Sequence, residues 1–147
     1  MGVAAMLHVD VYGEGRDVVL LHGWGMHGGL FRDWAQRLAT TFRVTVVDLP
    51  GHGKSGYAQQ REIAQWVSAV LEVAPPQACW IGWSLGGLVA LAAVAAAPRR
   101  CRGLVLLAST PKFVAGADWP NAVDKAVFDQ FAQQLESDVE RTLGRFL

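Results

Sequence analysis

Several features that would mark a specialised class of protein are missing from this chain of 147 residues. Thirteen basic and thirteen acidic residues give a formal net charge of zero, which excludes a broad field that would attract nucleic acid or an anionic membrane. The longest uncharged apolar run, Leu85 to Ala97, is shorter than the roughly 20 residues of a membrane-spanning helix. The amino terminus also lacks the basic and apolar regions of a secretory signal. We therefore expect a cytoplasmic protein with neither a nucleic-acid nor a membrane partner.

Cysteine is scarce, with Cys79 in a predicted strand and Cys101 in the turn before the next strand. In a chain without a secretory signal, two such cysteines are more often buried free thiols than a disulfide. Neither is a good candidate nucleophile. We expect no metal site and no organic cofactor.

Histidine is absent from the second half of the chain, since His8, His22, His27 and His52 all precede Ser84. Ser84 lies in Gly82-Trp83-Ser84-Leu85-Gly86, a G-x-S-x-G pattern between an apolar strand and an apolar helix. Such a strand-to-helix turn pushes the serine hydroxyl out of the backbone, where it can act as a nucleophile. Hydrolases built this way carry their triad in the order Ser, then Asp or Glu, then His. The chain thus has the pattern of the front part of an enzyme.

Hydrophobic residues make up 52% of the chain, enough to bury the core of one domain. Met6 to Tyr12 alternates apolar and polar residues, which predicts a half-exposed edge strand. Continuous apolar runs of the kind buried on both faces of a sheet predict four more strands, at Val18–Leu21, Val44–Val47, Ala78–Ile81 and Leu104–Leu107. Helical spacing appears at Leu30–Phe42, at Ile63–Val73 and behind Ser84. The alternation predicts an α/β fold with a mostly parallel sheet and flanking helices.

The character of the chain changes after Pro111, where no further strand follows. Apolar residues from Val123 to Leu147 recur at spacings of three and four, which predicts helix. Ser137 with Glu140 forms a capping-box pattern, so one helix should end near Glu136 and another begin. We divide the chain into a core at residues 1–111 and the beginning of a helical cap at residues 112–147.

Ligand sites of open parallel sheets lie at the carboxyl ends of the strands. Four loops meet there, at His22–Gly25, Asp48–Gly53, Gly82–Leu85 and Ser109–Pro111. Attack of a serine on an ester creates negative charge on the carbonyl oxygen, and removing one fixed N–H donor typically raises the barrier by about 3 kcal/mol. We assign the two donors to the backbone of Leu85, directly after the nucleophile, and of Trp24 in the first loop.

The sequences of these loops also suggest two other interpretations. Gly51-His52-Gly53-Lys54-Ser55 ends like a phosphate-binding P-loop, but Asp48 occupies the position of the required first glycine. That match fails. His22 and His52 are alternative bases for Ser84, although a structural hydrogen bond is the commoner role for a histidine in a glycine-rich turn.

The combined motifs resemble the α/β-hydrolase fold family, through the segments Leu21–Gly25, Val47–Ser55 and Gly82–Ala90. More narrowly, they resemble a family of carboxylesterases of biotin synthesis. Trp83 within the serine turn and three later segments carry the narrower match, namely Ala117–Pro120, Phe131–Leu135 and Arg141–Leu147. The resemblance covers essentially the whole chain.

This resemblance implies a serine carboxylesterase that removes the methyl ester from a pimeloyl chain on acyl-carrier protein, and that also accepts small esters. It implies that Ser84 attacks, that Trp24 and Leu85 hold the oxyanion, and that Phe146 and Leu147 begin a substrate-contacting stretch. Arg141 and Arg145 correspond to cap arginines that meet the acidic carrier and its phosphate. Equally, the two arginines could form a solvated helix face balanced by Asp138 and Glu140. The complete enzyme is expected to be a monomer.

The sequence departs from the family because the acid and the histidine of the triad are missing. The acidic residues after Ser84 all lie in or beside the predicted cap helices, so we name no catalytic acid or base. We expect only residual activity from the chain alone. The strand Leu104–Leu107 should present an apolar edge that favours association or poor folding. The alternative function is a non-catalytic module that binds an acyl group or acyl-carrier protein.

Overall fold

The computed structural model describes residues 6–56 and 62–146. These residues fall into two compact units, Met1–Ser109 and Thr110–Leu147. The described part of the first unit contains five strands and three α-helices. In chain order they are β1 (Val9–Tyr12), β2 (Arg16–Leu21), α1 (Arg32–Leu38), β3 (Phe42–Val47), α2 (Ile63–Val73), β4 (Ala78–Trp83), α3 (Leu85–Ala96) and β5 (Cys101–Leu107).

The five strands form one sheet in the order β1-β3-β2-β4-β5. Only β1 runs antiparallel to its neighbour, while the other three pairings are parallel. The chain therefore has the predicted α/β fold with a mostly parallel sheet, flanked by helices. Because β2, β3, β4 and β5 run the same way, their carboxyl ends lie along one edge of the sheet, as predicted for the candidate site.

The central strands bury both faces, which explains their unbroken apolar sequences. Val19 and Leu21 of β2 pack into a core with residues of α2 and α3. Val18 and Leu20 point to the other face and pack with Ala35 of α1. This two-sided burial confirms the prediction for β2 and β3. In β4 the α2 and α3 side is buried, whereas Cys79, Ile81 and Trp83 on the α1 side are only partly buried.

The prediction of full burial is wrong for β5, which is an outer strand of the sheet. Val105, Leu106 and Leu107 are 41%, 38% and 38% exposed. Within the described residues no strand pairs with the free edge of β5. The second expectation for this strand, an apolar edge, is correct.

The helix predicted at Leu30–Phe42 is shorter than expected. A 3-10 turn at Gly28–Phe31 precedes α1, and Phe42 already belongs to β3. The ring Nδ1 of His27 accepts a hydrogen bond from the Gly29 N–H at 3.1 Å and so starts the turn. Apolar spacing alone did not separate these three local structures.

The two cysteines are free, as predicted. Cys79 packs with the core on the α1 side of the sheet, whereas Cys101 packs with the core on the α2 and α3 side. Burial raises the pKa of the Cys79 thiol, which makes it a poorer nucleophile.

The second unit begins with a short, internally hydrogen-bonded segment. The Ala115 N–H donates to Val123 O at 2.8 Å, and the indole N–H of Trp119 donates to Thr110 Oγ1 at 3.1 Å. Two helices follow, α4 (Lys125–Ser137) and α5 (Val139–Phe146). The Thr142 hydroxyl, which belongs to α5, contacts both the Gln134 and Asp138 carbonyl oxygens, at 3.0 and 2.7 Å.

The helix break falls one residue later than the predicted capping box. Asp138 lies between the helices, and its Oδ1 accepts the Arg141 N–H at 3.0 Å. Ser137 is instead the last residue of α4, and its hydroxyl donates back to Gln134 O at 3.0 Å. No helix in the described residues is both long and apolar enough to cross a membrane.

Candidate active site at the carboxyl ends of the strands

Ser84 lies at a tight corner between β4 and α3. Its backbone angles are φ 53° and ψ −118°, a conformation that side-chain-bearing residues rarely adopt and that persists only where the surrounding structure imposes it. The side chain is half-buried. This is the strained strand-to-helix turn that the G-x-S-x-G pattern predicts.

The two glycines of the pattern are required by close approach rather than by their backbone angles. A Cβ added to Gly82 would collide with the Gly86 carbonyl oxygen. A Cβ added to Gly86 would collide with the carbonyl oxygens of Leu21 and His22, at the end of β2. Glycine at both positions lets α3 start directly against the sheet.

The loop that carries Trp24 passes beside the serine. A Cβ added to Gly23 would lie 3.4 Å from Ser84 Cβ and 3.0 Å from the Trp83 ring. Gly25, with φ 74°, and a hydrogen bond from Met26 N–H to Gly23 O at 3.2 Å close this loop into a turn. Trp24 is half-buried within it. The structure therefore brings the predicted loops of Ser84 and Trp24 together.

His22 is fully buried, and both ring nitrogens are occupied. The Leu49 N–H donates to Nε2 at 2.9 Å, and Nδ1 lies 2.7 Å from the Gly23 carbonyl oxygen. Since Nε2 accepts, Nδ1 must carry the proton and donate to Gly23. Burial lowers the pKa of His22 from 6.5 to about 4, against the raising effect of the Gly23 bond. A neutral ring fixed in this way joins two loops and does not serve as a base for Ser84.

His52 also has a structural contact. Its Nδ1 lies 2.9 Å from the Pro50 carbonyl oxygen in its own loop. Its ring centroid is 5.3 Å from that of His22 and 5.9 Å from that of Trp66. This is the structural role that the sequence favoured over the catalytic one.

The Asp48 carboxylate is held inside the loop whose sequence resembles the end of a P-loop. Its two carboxylate oxygens accept the N–H groups of Gly28 at 2.5 Å and Lys54 at 2.9 Å. Burial raises the pKa of Asp48, but the hydrogen bonds from Lys54 and Gly28 outweigh it, so the net shift is downward. A Cβ on Gly53 would collide with this carboxylate. The side chain shapes the loop after β3 and leaves no phosphate cradle there.

The fourth loop contributes a residue whose role the sequence did not reveal. The hydroxyl of Ser109, two residues after β5, donates to the Ser84 carbonyl oxygen at 2.7 Å. In addition, the Ser84 N–H donates to Leu107 O at 2.9 Å. The end of β5 therefore holds the backbone of Ser84 from both sides. The only signal in the sequence is a hydroxyl just after the strand that neighbours β4.

The predicted carrier-binding arginines lie on α5 in the second unit. Arg141 and Arg145 are exposed, and none of the ion pairs found among the described residues involves either of them. They border a small cavity of about 160 Å³, lined also by Gln134, Ser137, Asp138 and Thr142. Phe146 is the last residue of α5, and Leu147 lies outside the described residues.

A larger cavity of about 890 Å³ lies away from this candidate site. Its lining includes Arg16, Phe42 and Arg102, which stand at the amino-terminal starts of β2, β3 and β5. Ser84 lies at the opposite edge of the sheet. Position relative to the strained serine therefore identifies the candidate site, and cavity size does not.

Residues 18–147 match the α/β hydrolase fold family. The chain belongs to this family. The resemblance drawn from the motifs is thereby confirmed at the level of the fold.

Similar proteins give narrower comparisons. The chain is 50% identical over 141 residues to a pimeloyl-[acyl-carrier protein] methyl ester esterase of Stenotrophomonas maltophilia, covering 96% of this chain and 54% of that protein. It thus spans about half the length of the curated relatives it matches. An esterase from Exiguobacterium antarcticum superposes with a TM-score of 0.84 at 24% identity, covering 97% of this chain and 56% of the other. A bromoperoxidase from Bacillus anthracis superposes with a TM-score of 0.85 at 23% identity, over 97% and 55% of the two chains. At these identities the two structures show the shared fold alone.

Proposed function

We propose that Ser84 is the nucleophile of a cytoplasmic carboxylesterase that hydrolyses the methyl ester of a pimeloyl chain carried on acyl-carrier protein. The strained backbone of Ser84, beside the Trp24 loop, is the observation that carries the chemistry. The substrate is proposed from the 50% identity to an esterase named for it. The complete enzyme acts as a monomer and also accepts small esters.

The reaction has two steps with defined proton and bond changes. The Ser84 hydroxyl oxygen attacks the ester carbon, and its proton goes to the departing methoxide, so that methanol leaves and an acyl-serine forms. Water then attacks the carbonyl carbon of the acyl-serine and the bond from this carbon to Ser84 Oγ breaks. One proton of the water returns to Ser84 Oγ, and the released carboxylic acid ionises to the carboxylate. The backbone N–H groups of Leu85 and Trp24 hold the oxyanion in both steps. His22 is fully buried and both of its ring nitrogens are hydrogen-bonded, so it is not the proton carrier. We assign no base to this chain.

Residues of the second unit are proposed to bind the carrier and the acyl chain. Arg141 and Arg145 stand one helical turn apart on α5, so their planar donors can engage phosphate oxygens in pairs. Phe146 and Leu147 begin the stretch that contacts the acyl chain. Residues 112–147 form the start of the cap in this proposal.

The role of Ser84 as nucleophile is tested with the complete protein that the gene encodes. We expect a fluorophosphonate probe to label Ser84 and the protein to release methanol from pimeloyl methyl ester on acyl-carrier protein. Ser84→Ala should remove the label and reduce turnover by about 10⁴-fold or more. Ser68→Ala is the matched control, because that hydroxyl sits on the exposed face of α2 and only contacts Ala64 O at 3.0 Å. Turnover that survives in the Ser84→Ala protein would overturn the assignment.

A second experiment separates the esterase from the non-catalytic binding module. Arg141→Glu should weaken carrier binding, measured by titration calorimetry, by about tenfold or more through loss and reversal of one charge. Arg99→Glu is the control, because this arginine is exposed but lies in the first unit. If the carrier binds with this arginine dependence while neither the protein nor its Ser84→Ala variant releases methanol, the binding module replaces the esterase.

A further inference from the structure

The carbonyl of the peptide group between Ser84 and Leu85 accepts three hydrogen bonds. Two come from the first turn of α3, from the N–H of Gly87 at 2.9 Å and of Leu88 at 3.2 Å. The third comes from the Ser109 hydroxyl at 2.7 Å. Ser109 supplies the shortest of these three bonds, and the only one that comes from outside the turn and its helix.

This carbonyl shares a rigid plane with the N–H of Leu85. Because a peptide bond is planar and trans, its C=O and N–H vectors point in opposite directions. Whatever fixes the direction of the Ser84 carbonyl therefore also fixes the direction of the Leu85 N–H. A hydrogen bond to the carbonyl further polarises the same amide and makes its N–H a better donor.

Two strained residues place Ser109 in reach of that carbonyl. Among the described residues, Ser84 and Ala108 are the two non-glycine residues with positive φ, at 53° and 47°. They follow Trp83 and Leu107, which are partners in the register of β4 and β5. The two strands thus leave the sheet side by side, each through a strained residue, and the turn at Ala108 precedes the hydroxyl that contacts Ser84.

Gly87 leaves the space that Ser109 occupies. A Cβ added to Gly87 would collide with both Cβ and Oγ of Ser109. Gly87 has no positive φ that would require glycine. The second glycine after the nucleophile is therefore explained by its contact with Ser109.

We propose that Ser109 is a positioning residue that orients the Leu85 N–H as an oxyanion donor, acting through the Ser84 carbonyl. This inference rests on the proposed function, because it takes Ser84 as nucleophile and Leu85 as donor. It adds a residue from the loop after β5 to a site otherwise built from the loops after β2 and β4.

The first measurement needs no catalysis and uses the unliganded chain. In ¹H–¹⁵N spectra, Ser109→Ala should shift the Leu85 amide resonance, because this amide loses the hydrogen bond that polarises it and fixes its plane. Ser109→Thr keeps the hydroxyl and should restore the position of the resonance. Ser68→Ala, which removes an exposed hydroxyl on α2, should leave it unchanged.

The second measurement reports the oxyanion site directly and uses the complete protein that the gene encodes. Butylboronic acid forms a tetrahedral adduct with an activated serine, visible in ¹¹B spectra. We expect Ser109→Ala to weaken its binding by about threefold to tenfold, with Ser109→Thr close to the unmodified protein. If Ser109 only stabilised the fold, Ser109→Ala would lower the melting temperature but would bind butylboronic acid as tightly as the unmodified protein at a temperature where both proteins are folded.

The outcomes separate the two proposals. An unchanged Leu85 amide in Ser109→Ala, or a Ser109→Thr protein as impaired as the alanine variant, overturns the role of Ser109. Absence of any adduct with the unmodified protein counts against Ser84 as an activated nucleophile, while the amide measurement still decides the role of Ser109.

Discussion

At the scale of one residue, His22 shows how the structure offsets the cost of burying a polar side chain. Removing an imidazole from water disfavours its charged form, and its pKa falls to about 4. The neutral ring offers one donor and one acceptor, and both are used, by Gly23 and Leu49. The ring thereby links the loop after β2 to the loop after β3 within the same edge of the sheet.

This burial predicts a pH dependence of stability. Between about pH 6.5 and pH 4 the unfolded chain binds a proton at His22 that the folded chain does not, so stability falls as the pH is lowered through this window. The shift to about 4 corresponds to a loss of about 2 to 3 kcal/mol in unfolding free energy between pH 7.5 and 4.5. Urea unfolding at the two pH values measures it.

The matched variants for that experiment are His22→Asn and His27→Asn. His22→Asn should destabilise the protein at pH 7.5 and flatten the pH dependence. His27 is exposed at the start of a 3-10 turn, where Asn can also accept the Gly29 N–H, so His27→Asn should keep the full dependence. Equal slopes in the two variants would show that another group titrates.

At the scale of elements, the sequence predicts a structure well where one physical requirement dominates. Unbroken apolar runs placed β2, β3 and β4 because a strand covered on both faces must be apolar throughout. The G-x-S-x-G pattern located the turn at Ser84 because collisions with backbone atoms forbid a side chain at Gly82 and Gly86. The contact from Ser109 was not predictable, because a hydroxyl after a strand has many possible acceptors.

The predicted boundaries of helices were wrong where two local structures compete for the same residues. Ser137 and Asp138 are both good helix-capping residues, and the sequence favoured Ser137 because Glu140 completes a capping box. The structure uses Asp138, whose carboxylate accepts the Arg141 N–H. The buried Thr142 side chain also contacts Asp138 O and Gln134 O and so ties the start of α5 to the end of α4. A capping-box pattern does not include this contact.

This difference between neighbouring residues can be tested. Asp138→Ala should lower the unfolding free energy of the α5 region by about 1 kcal/mol, the usual cost of losing an N-cap. Ser137→Ala should change it by at most about 0.5 kcal/mol, since its hydroxyl only returns to Gln134 O. Hydrogen exchange of the α5 amides, followed by mass spectrometry, distinguishes the two variants. If Ser137→Ala destabilised α5 more than Asp138→Ala, Ser137 would be the capping residue, as the capping-box pattern predicts.

At the scale of the whole molecule, β5 is an apolar strand that forms an edge of the described sheet. Both of its faces are partly uncovered, since Val105 and Leu107 point to one side and Leu106 to the other. An edge of this kind offers free backbone groups and apolar side chains to any other strand, which favours association between chains.

We therefore expect this chain of 15.9 kDa to associate as its concentration rises, and a charge on β5 to oppose it. Val105→Lys should shift sedimentation velocity profiles toward the monomer, because a lysine on an edge strand cannot be buried between two chains without losing its hydration. Leu30→Lys is the control, since Leu30 is an apolar residue that is 54% exposed but lies in the 3-10 turn before α1. An equal shift in both variants would trace the association to general hydrophobicity rather than to the β5 edge, and a monomer at all concentrations would remove the edge as a cause of assembly.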